Sequence, residues 1–340
     1  MKKVLIIAEA GVNHNGDMNK AKALIDAAAN AGSDYVKFQS FKADKLVSPD
    51  AKKAKYQSEN FSEYDNYQYN MLKKLELTHE NHLLLMEYAK EKGIQFFSAA
   101  FDSDGVDYLD SLGFELFKIP SGELTNYPYL RSIALKKKPV ILSTGMANLE
   151  EIKKSLSILQ KFGLSKKLIT LLHCNTEYPS PMKDVNLKAM IQMKNELDVN
   201  VGYSDHTLGI EVSTAAVALG ACVIEKHFTL DRDLPGPDHK ASLEPDELKE
   251  MVKSIRNVEE ALSGNGKKEP SNSEKKNIKI ARKSIYTKRE IRKGEYITEK
   301  DLIPLRPGDG ISPFRWNDVI GKTANKNLKS LYKISWKDLS

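Results

Sequence analysis

With 340 residues, 41% hydrophobic and 29% charged, the chain has the make-up of a soluble globular protein, long enough for one large domain and a small one. Its formal charge of +6 comes mostly from scattered lysines, with no basic stripe interleaved with aromatics, which argues against nucleic acid as a partner. Two cysteines, Cys174 and Cys222, are too few for a disulfide framework. The first apolar run stops at Glu9, too soon for a signal peptide, and no run approaches the roughly 18 apolar residues of a membrane span, so a cytoplasmic protein is expected.

Short apolar runs of strand length alternate with amphipathic stretches. Strands are expected at Val4–Ala8, Tyr35–Gln39, Phe96–Ala99, Leu116–Ile119, Val140–Thr144, Ile169–Cys174, Val201–Tyr203 and Val223–His227. After the first, Ala21, Leu24, Ile25 and Ala28 recur at i, i+3, i+4 and i+7 on one helix face. After the second comes a long, polar, tyrosine-rich stretch, roughly Phe41 to Leu75, read as a loop; loops of that length in a compact domain are usually functional. Asn148 and Glu151 open another helix as a capping box, followed by Ile152, Leu156 and Leu159. Beyond the eighth strand, Pro245 sits in the first turn of a helix striped by Leu248, Met251, Val252 and Ile255.

Eight such units predict a (β/α)8 TIM barrel. The rival, an open doubly wound sheet, lacks its glycine-rich fingerprint after the first strand. The barrel is assigned to residues 1–262 and a linker to 263–280, from the composition of Ser263-Gly264-Asn265-Gly266-Lys267-Lys268-Glu269-Pro270-Ser271-Asn272-Ser273. Residues 281–340 form a small β-rich module, with β-like pieces at Ser284–Thr287 and Glu295–Ile297 and turns at Arg292-Lys293-Gly294 and Arg306-Pro307-Gly308.

Alternation along each strand sorts lumen-facing from helix-facing side chains. Val36 and Phe38 suit the helix layer, which turns Lys37 and Gln39 inward; Lys118 is inward by the same logic. Leu5-Ile7-Glu9, Gly202-Ser204-His206 and Val223-Glu225-His227 are further sets, each ending polar toward the C-terminal end, where barrel enzymes carry their active sites. Two inward ammonium groups need partners. Glu9, Glu123 or Glu225 supply them in an ion network, or the phosphate and carboxylate of an anionic substrate do, and an empty site can rest in the paired form.

His206 and His227 end consecutive strands. Two histidines alone are a weak metal signal, but at a barrel mouth, with water or substrate oxygens to complete the shell, they favour a divalent cation. His14, in the turn Asn13-His14-Asn15-Gly16, is less telling, and His173 reads equally as a core histidine. Ser121-Gly122-Glu123 and Ser143-Thr144-Gly145 follow strands four and five; they suit close approach to a phosphate or ordinary βα turns.

Taken together, Ala8-Glu9-Ala10-Gly11-Val12-Asn13-His14-Asn15-Gly16, Val36-Lys37-Phe38-Gln39, Phe117-Lys118-Ile119-Pro120-Ser121-Gly122-Glu123, Leu142-Ser143-Thr144-Gly145-Met146, Gly202-Tyr203-Ser204-Asp205-His206-Thr207, Glu225-Lys226-His227-Phe228 and Gly236-Pro237-Asp238-His239 resemble the sialic acid synthase family. The tail, with Arg282-Lys283-Ser284 and Leu305-Arg306-Pro307-Gly308, resembles the antifreeze-like (SAF, β-clip) module of those enzymes.

The resemblance implies a domain-swapped homodimer that joins phosphoenolpyruvate to an N-acetylated amino sugar. It implies phosphoenolpyruvate contacts from Lys37, Lys118, Ser121, Thr176 and Ser204, and sugar contacts from Gln39, Tyr178, Asp238 and, from the partner subunit, Arg306. It further implies catalytic carboxylates at Glu9 and Glu123 and a divalent metal of manganese type, with magnesium or cobalt as alternatives, on His206 and His227. No membrane or nucleic acid partner is implied.

Two departures stand out. Many members read Ser-Thr-Pro-Phe where this chain has Ser98-Ala99-Ala100-Phe101, so Ser98 or a backbone amide is expected to replace the threonine hydroxyl missing at Ala99. At Thr176 some relatives carry asparagine. The runs Phe38-Gln39-Ser40-Phe41-Lys42-Ala43, Glu177-Tyr178-Pro179 and Val185-Asn186-Leu187-Lys188-Ala189-Met190 look closer to members making N,N'-diacetyllegionaminate from 2,4-diacetamido-2,4,6-trideoxymannose than to those making N-acetylneuraminate from N-acetylmannosamine. The rivals are a pseudaminate synthase, a related synthase using a phosphorylated sugar, and a non-catalytic sugar-binding or ice-binding protein.

Overall fold

All eight expected strands form, and all run parallel, in the computed structural model, which describes residues 3–54, 57–58 and 67–340. They are β1 (Leu5–Gly11), β2 (Tyr35–Ser40), β3 (Gln95–Ala100), β4 (Phe117–Ile119), β5 (Val140–Ser143), β6 (Ile169–Cys174), β7 (Asn200–Asp205) and β8 (Val223–His227). Hydrogen bonding runs in the order β3-β2-β1-β8-β7-β6-β5-β4, so the ring is laddered everywhere but between β3 and β4. There the buried Tyr129 hydroxyl lies 2.8 Å from the Ala100 carbonyl and 3.1 Å from the Lys118 carbonyl, one phenol shared between the ends of the two unladdered strands.

Each strand is an apolar run because both faces are covered, by the lumen filling on one side and helices on the other. The helices are α1 (Met18–Ala31), α2 (Ala43–Leu46), α3 (Gln68–Lys73), α4 (His79–Glu91), α5 (Ser103–Ser111), α6 (Tyr127–Leu135), α7 (Leu149–Lys161), α8 (Lys188–Leu197), α9 (Glu211–Ala218) and α10 (Pro245–Ala261). In α1 the stripe Ala21, Leu24, Ile25 and Ala28 is buried, and Asp17 caps the free amides of Asn19 and Lys20. Asn148 and Glu151 cap α7 reciprocally, and Pro245 opens α10.

Among the described residues, the stretch expected as a loop from Phe41 to Leu75 includes the short helices α2 and α3. Phe41, Met71 and Leu75 form a small satellite core with Val12, which packs the stretch against the end of β1. Residues 55–56 and 59–66 of it lie outside the described residues.

The chain divides into two compact units, Met1–Ser263 and Gly264–Ser340. The second begins before its β-structure: residues expected to be linker include α11 (Asn272–Ala281), which Ser271 and Glu274 cap reciprocally. β9 (Ser284–Thr287) pairs antiparallel with β10 (Leu302–Leu305). The piece expected at Glu295–Ile297 is a single bridge, Tyr296 to Thr323. Ile285, Ile291, Ile297, Leu302, Val319, Leu328 and Ile334 give this unit its own core. Among the described residues, no helix is long and apolar enough to cross a membrane.

One polar cluster ties the start of β1 to the last barrel helix. Asp34 accepts from the Ile6 amide (2.9 Å), Lys3 (2.6 Å) and Arg256 (2.7 Å), while Arg256 donates to the Val4 carbonyl and Glu259 accepts from the Val4 amide. Burial alone would raise the Asp34 pKa, but these donors outweigh it and hold the group below its ordinary 3.8. A carboxylate with a lowered folded pKa stabilises the fold above its unfolded pKa and loses that contribution as pH falls through the folded value. Asp34→Asn is therefore expected to cost about 1–2 kcal/mol at pH 7, with the gap from the parent closing below pH 3.8. Urea unfolding across pH checks this; a gap that does not change with pH contradicts it.

Candidate active site

The ladder places the polar strand ends side by side. Glu9 pairs in register with Lys37 on one side and with His227 on the other, and Ser204 pairs with Glu225. Inside the ring, Glu225 lies between the two lysines. Its Oε2 is 3.0 Å from Lys37 Nζ and its Oε1 is 3.0 Å from Lys118 Nζ, while Glu9 Oε2 lies 3.3 Å from Lys37. Ser204 donates to Glu225 at 3.1 Å, and Gln39 donates to Glu9 at 3.3 Å. All four charged groups are buried.

The two carboxyl groups behave oppositely. Burial favours the neutral acid at Glu225, yet Lys118 and Lys37 together hold it ionised, well below the usual range. At Glu9 burial prevails over Lys37, and the nearby Glu225 charge pushes the same way, so its pKa rises. Lys37, between two carboxylates, is held protonated against burial. Lys118, which shares Glu225 with Lys37, is pulled downward by burial.

Beyond Lys118 the strand turns at Pro120 into a single 3₁₀ turn, Ser121–Glu123. The Ser121 hydroxyl accepts the Gly145 amide at 3.0 Å and lies 3.3 Å from Cys174 Sγ. A Cβ at Gly145 would stand 2.6 Å from Thr176 Cγ2 and 2.8 Å from Ser121 Oγ, so only glycine lets these segments meet. Ser143, on the same strand face as Ile141 opposite Lys118, has a buried hydroxyl with no hydrogen-bond partner among the described residues. Its signal in the sequence is Ser143-Thr144-Gly145, which singles out no one residue. Thr144, by contrast, spends its hydroxyl on the Leu172 carbonyl at 3.0 Å.

On the other side, the His206 and His227 rings lie 5.3 Å apart at 68°, and Tyr178 stacks on His206 at 4.1 Å with its hydroxyl 3.2 Å from Nε2. The Asn175 carbonyl takes the Nδ1 side of His206. Asp238 Oδ2 lies 3.7 Å from His227 Nδ1, which has no hydrogen-bond partner among the described residues. Burial pushes His206 down to about 4 and His227 well below its ordinary value, and raises Asp238 to about 6. Near Gly11 (φ +52°) the polar ends of Glu9, Gln39 and Asp238 converge, all within 3.6 Å of where its Cβ would be.

The histidine pair suits a metal in its donor chemistry. Both rings are neutral, the ligand form, and a carbonyl on Nδ1 of His206 makes Nε2, which the Tyr178 and Ser204 hydroxyls contact at 3.2 and 3.3 Å, the atom that would coordinate. Among the described residues, no three His, Cys, Asp or Glu side chains form a metal-binding group. The two rings therefore offer part of a shell, which water or substrate oxygens would complete.

Some expected residues stand elsewhere. Glu123 is buried, accepts from Asn126 at 2.6 Å, and joins neither lysine; burial raises its pKa. Ser98 cannot replace the missing threonine hydroxyl. Its register partner is Phe38, on the helix-facing side, and its hydroxyl is 2.6 Å from that of Ser40, itself 2.7 Å from His82. Ala99, opposite Gln39, has the lumen-facing parity. His173 is partly buried, with Nε2 2.9 Å from the Val185 carbonyl, and His14 is buried beside Phe38. Arg306 is an exposed residue of the second unit. Glu225, which strand alternation marks only as one of three candidate lysine partners, holds the centre.

Removing that centre strands the buried Lys118 ammonium and leaves Lys37 with Glu9 alone. Glu225→Ala is expected to destabilise the metal-free chain by about 3–5 kcal/mol in urea unfolding; a loss under about 1 kcal/mol would show that the lysines are compensated by other groups.

A family model described as the NeuB family matches residues 24–268, and one described as the SAF domain matches residues 282–340. The chain is 56% identical over 329 residues to an N,N'-diacetyllegionaminic acid synthase of Campylobacter jejuni, covering 97% of this chain and 98% of that one. It is 50% identical to the enzyme of the same name from Legionella pneumophila, over 98% of this chain and 94% of the other. Among solved structures, the N-acetylneuraminic acid synthetase of Leptospira borgpetersenii, in complex with citrate, superimposes with a TM-score of 0.70 at 38% identity, covering 82% of this chain and 90% of that one.

Proposed function

The chain belongs to the NeuB family, and from that premise we propose that it condenses phosphoenolpyruvate with 2,4-diacetamido-2,4,6-trideoxymannose, releasing phosphate and giving N,N'-diacetyllegionaminate. The observation that carries the reading is the buried pair of lysines clasping one carboxylate, directly beside two neutral histidines. A sugar-binding or ice-binding protein has no use for that combination.

In the reaction, the methylene carbon of phosphoenolpyruvate bonds to the aldehyde carbon of the open-chain sugar. Water adds at the enol carbon, and the carbon–oxygen bond to phosphate breaks. Lys37 and Lys118 exchange their contacts with Glu225 and Glu9 for the substrate's phosphate and carboxylate, so the anion enters a site already neutralised. Lysine contacts then stabilise the departing phosphate. Ser121, Thr176, Ser204 and the unpartnered Ser143 hydroxyl surround that end, while Gln39, Tyr178 and Asp238 face the sugar. Two carboxyl groups suit the proton of the attacking water: Glu9 in the lumen and Glu123 at its turn, both with pKa values raised by burial.

His206 and His227 would hold a divalent ion of manganese type, which when bound supplies Lewis-acid polarisation of the aldehyde oxygen. The same reading takes the enzyme as a cytoplasmic homodimer in which Arg306 of the partner subunit meets the sugar.

Phosphate release tests the reaction. With phosphoenolpyruvate, 2,4-diacetamido-2,4,6-trideoxymannose is expected to exceed N-acetylmannosamine and its 6-phosphate by at least about 100-fold in kcat/KM, since a polar site rejects an analogue that leaves its groups unpaired. A preference for N-acetylmannosamine reassigns the product to N-acetylneuraminate, and no phosphate with any sugar ends the synthase reading. Chelator is expected to abolish turnover and manganese to restore it, and His227→Ala to lose turnover while keeping its circular dichroism spectrum. Full activity in chelator would remove the metal from the mechanism.

A further inference from the structure

Behind the two histidines, on the helix-facing side of the same strands, lies an ion pair that the reaction does not use. Asp205 and Lys226 are cross-strand partners in the β7–β8 register, and each immediately precedes one of the histidines. Both side chains are wholly sealed from solvent, with Lys226 Nζ 3.0 Å from Asp205 Oδ2. Asp205 Oδ1 accepts the Thr207 amide at 2.9 Å and the Thr207 hydroxyl at 2.7 Å, and Oδ2 accepts the Ser213 hydroxyl of α9 at 2.7 Å. Lys226 donates in turn to the Thr207 carbonyl at 2.5 Å. Thr207 is thus held by its amide, its hydroxyl and its carbonyl.

Burying a charge pair costs desolvation that apolar side chains of the same volume avoid, so such a pair is weak evidence for stability. What it supplies here is direction. His206 is the first residue beyond β7; its carbonyl accepts the Ser180 amide at 2.8 Å and its Nδ1 meets the Asn175 carbonyl, and the residues on either side of it are held as well. Asp205 before it and Thr207 after it are locked to each other and to Lys226, whose own neighbour is His227. The two histidines therefore stand on one clamped piece of backbone that joins the ends of β7 and β8.

We propose that Asp205 and Lys226 are positioning residues, holding His206 and His227 at the separation and angle from which both imidazoles reach one divalent cation. The inference rests on the metal reading under the proposed function and adds to it the device that pre-sets the pair. Outer groups that orient metal ligands typically contribute 10–100-fold to metal affinity.

The test is manganese binding to the full chain, read from the loss of the free aqueous Mn2+ signal in electron paramagnetic resonance, with no substrate present. The double variant Asp205→Leu/Lys226→Met removes the clamp but leaves no stranded charge. It is expected to unfold cooperatively, as the parent does, and to bind manganese about 10–100-fold more weakly. Ser213→Ala, which deletes one hydrogen bond to Asp205 from α9, is expected to weaken binding about threefold, and carries the test if the double variant does not fold. Parent-like manganese affinity in the folded variants overturns the inference while leaving the metal reading in place. A parent chain that takes up no manganese overturns both.

Discussion

An ammonium group removed from water and left without a counter-charge costs several kcal/mol, and two of them stand inside this barrel within reach of a single carboxylate. Glu225 therefore constrains everything around it. It must remain ionised, which Lys37 and Lys118 ensure, and it must remain in place, which Ser204 assists. Glu9 is the second carboxyl group in reach, and with Glu225 already charged it is the one whose pKa rises. The lumen thus rests in a neutralised state that an anion bearing both phosphate and carboxylate is chemically equipped to replace.

The histidines, at the ends of β7 and β8, occupy the opposite electrostatic condition. Burial keeps both neutral, while Glu225 and Glu9 hold Lys37 protonated against burial. Parallel register makes this possible. Glu9 pairs with Lys37 on one side and His227 on the other, so β1 carries the boundary between the two halves. Glycines finish the arrangement where side chains would intrude, Gly145 between Ser121 and Thr176 and Gly11 among Glu9, Gln39 and Asp238. On the outer face Asp205, Lys226 and Thr207 are bonded to one another, so one strand pair carries the two histidines inward and an ion pair outward.

Much of this is legible in the chain itself. Strand alternation alone turns Lys37, Gln39 and Lys118 inward, because neighbouring apolar residues have to face the helix layer. The same rule shows why the expectation for Ser98 fails: its parity is that of Phe38, so its hydroxyl meets that of Ser40, which in turn meets His82 on the helix side. The Phe41–Leu75 stretch reads as plain loop because its helices are too short to show a periodic stripe, and α11 is hidden in a linker-like composition rich in lysine and serine.

Period-two and period-3.6 patterns are local, so the amino-acid sequence by itself determined the eight strands, the inward lysines, the two strand-ending histidines and the small module beyond the barrel. Distances between strands far apart in the chain are not local, and only the tertiary structure decided them. It chose Glu225 over Glu123 as the carboxylate between the lysines, left the buried Ser143 hydroxyl without a partner among the described residues, and set Asp205 against Lys226. The physical reason is that a side chain's identity states what it needs, a counter-charge or a hydrogen bond, whereas which group meets that need depends on the closure of the ring.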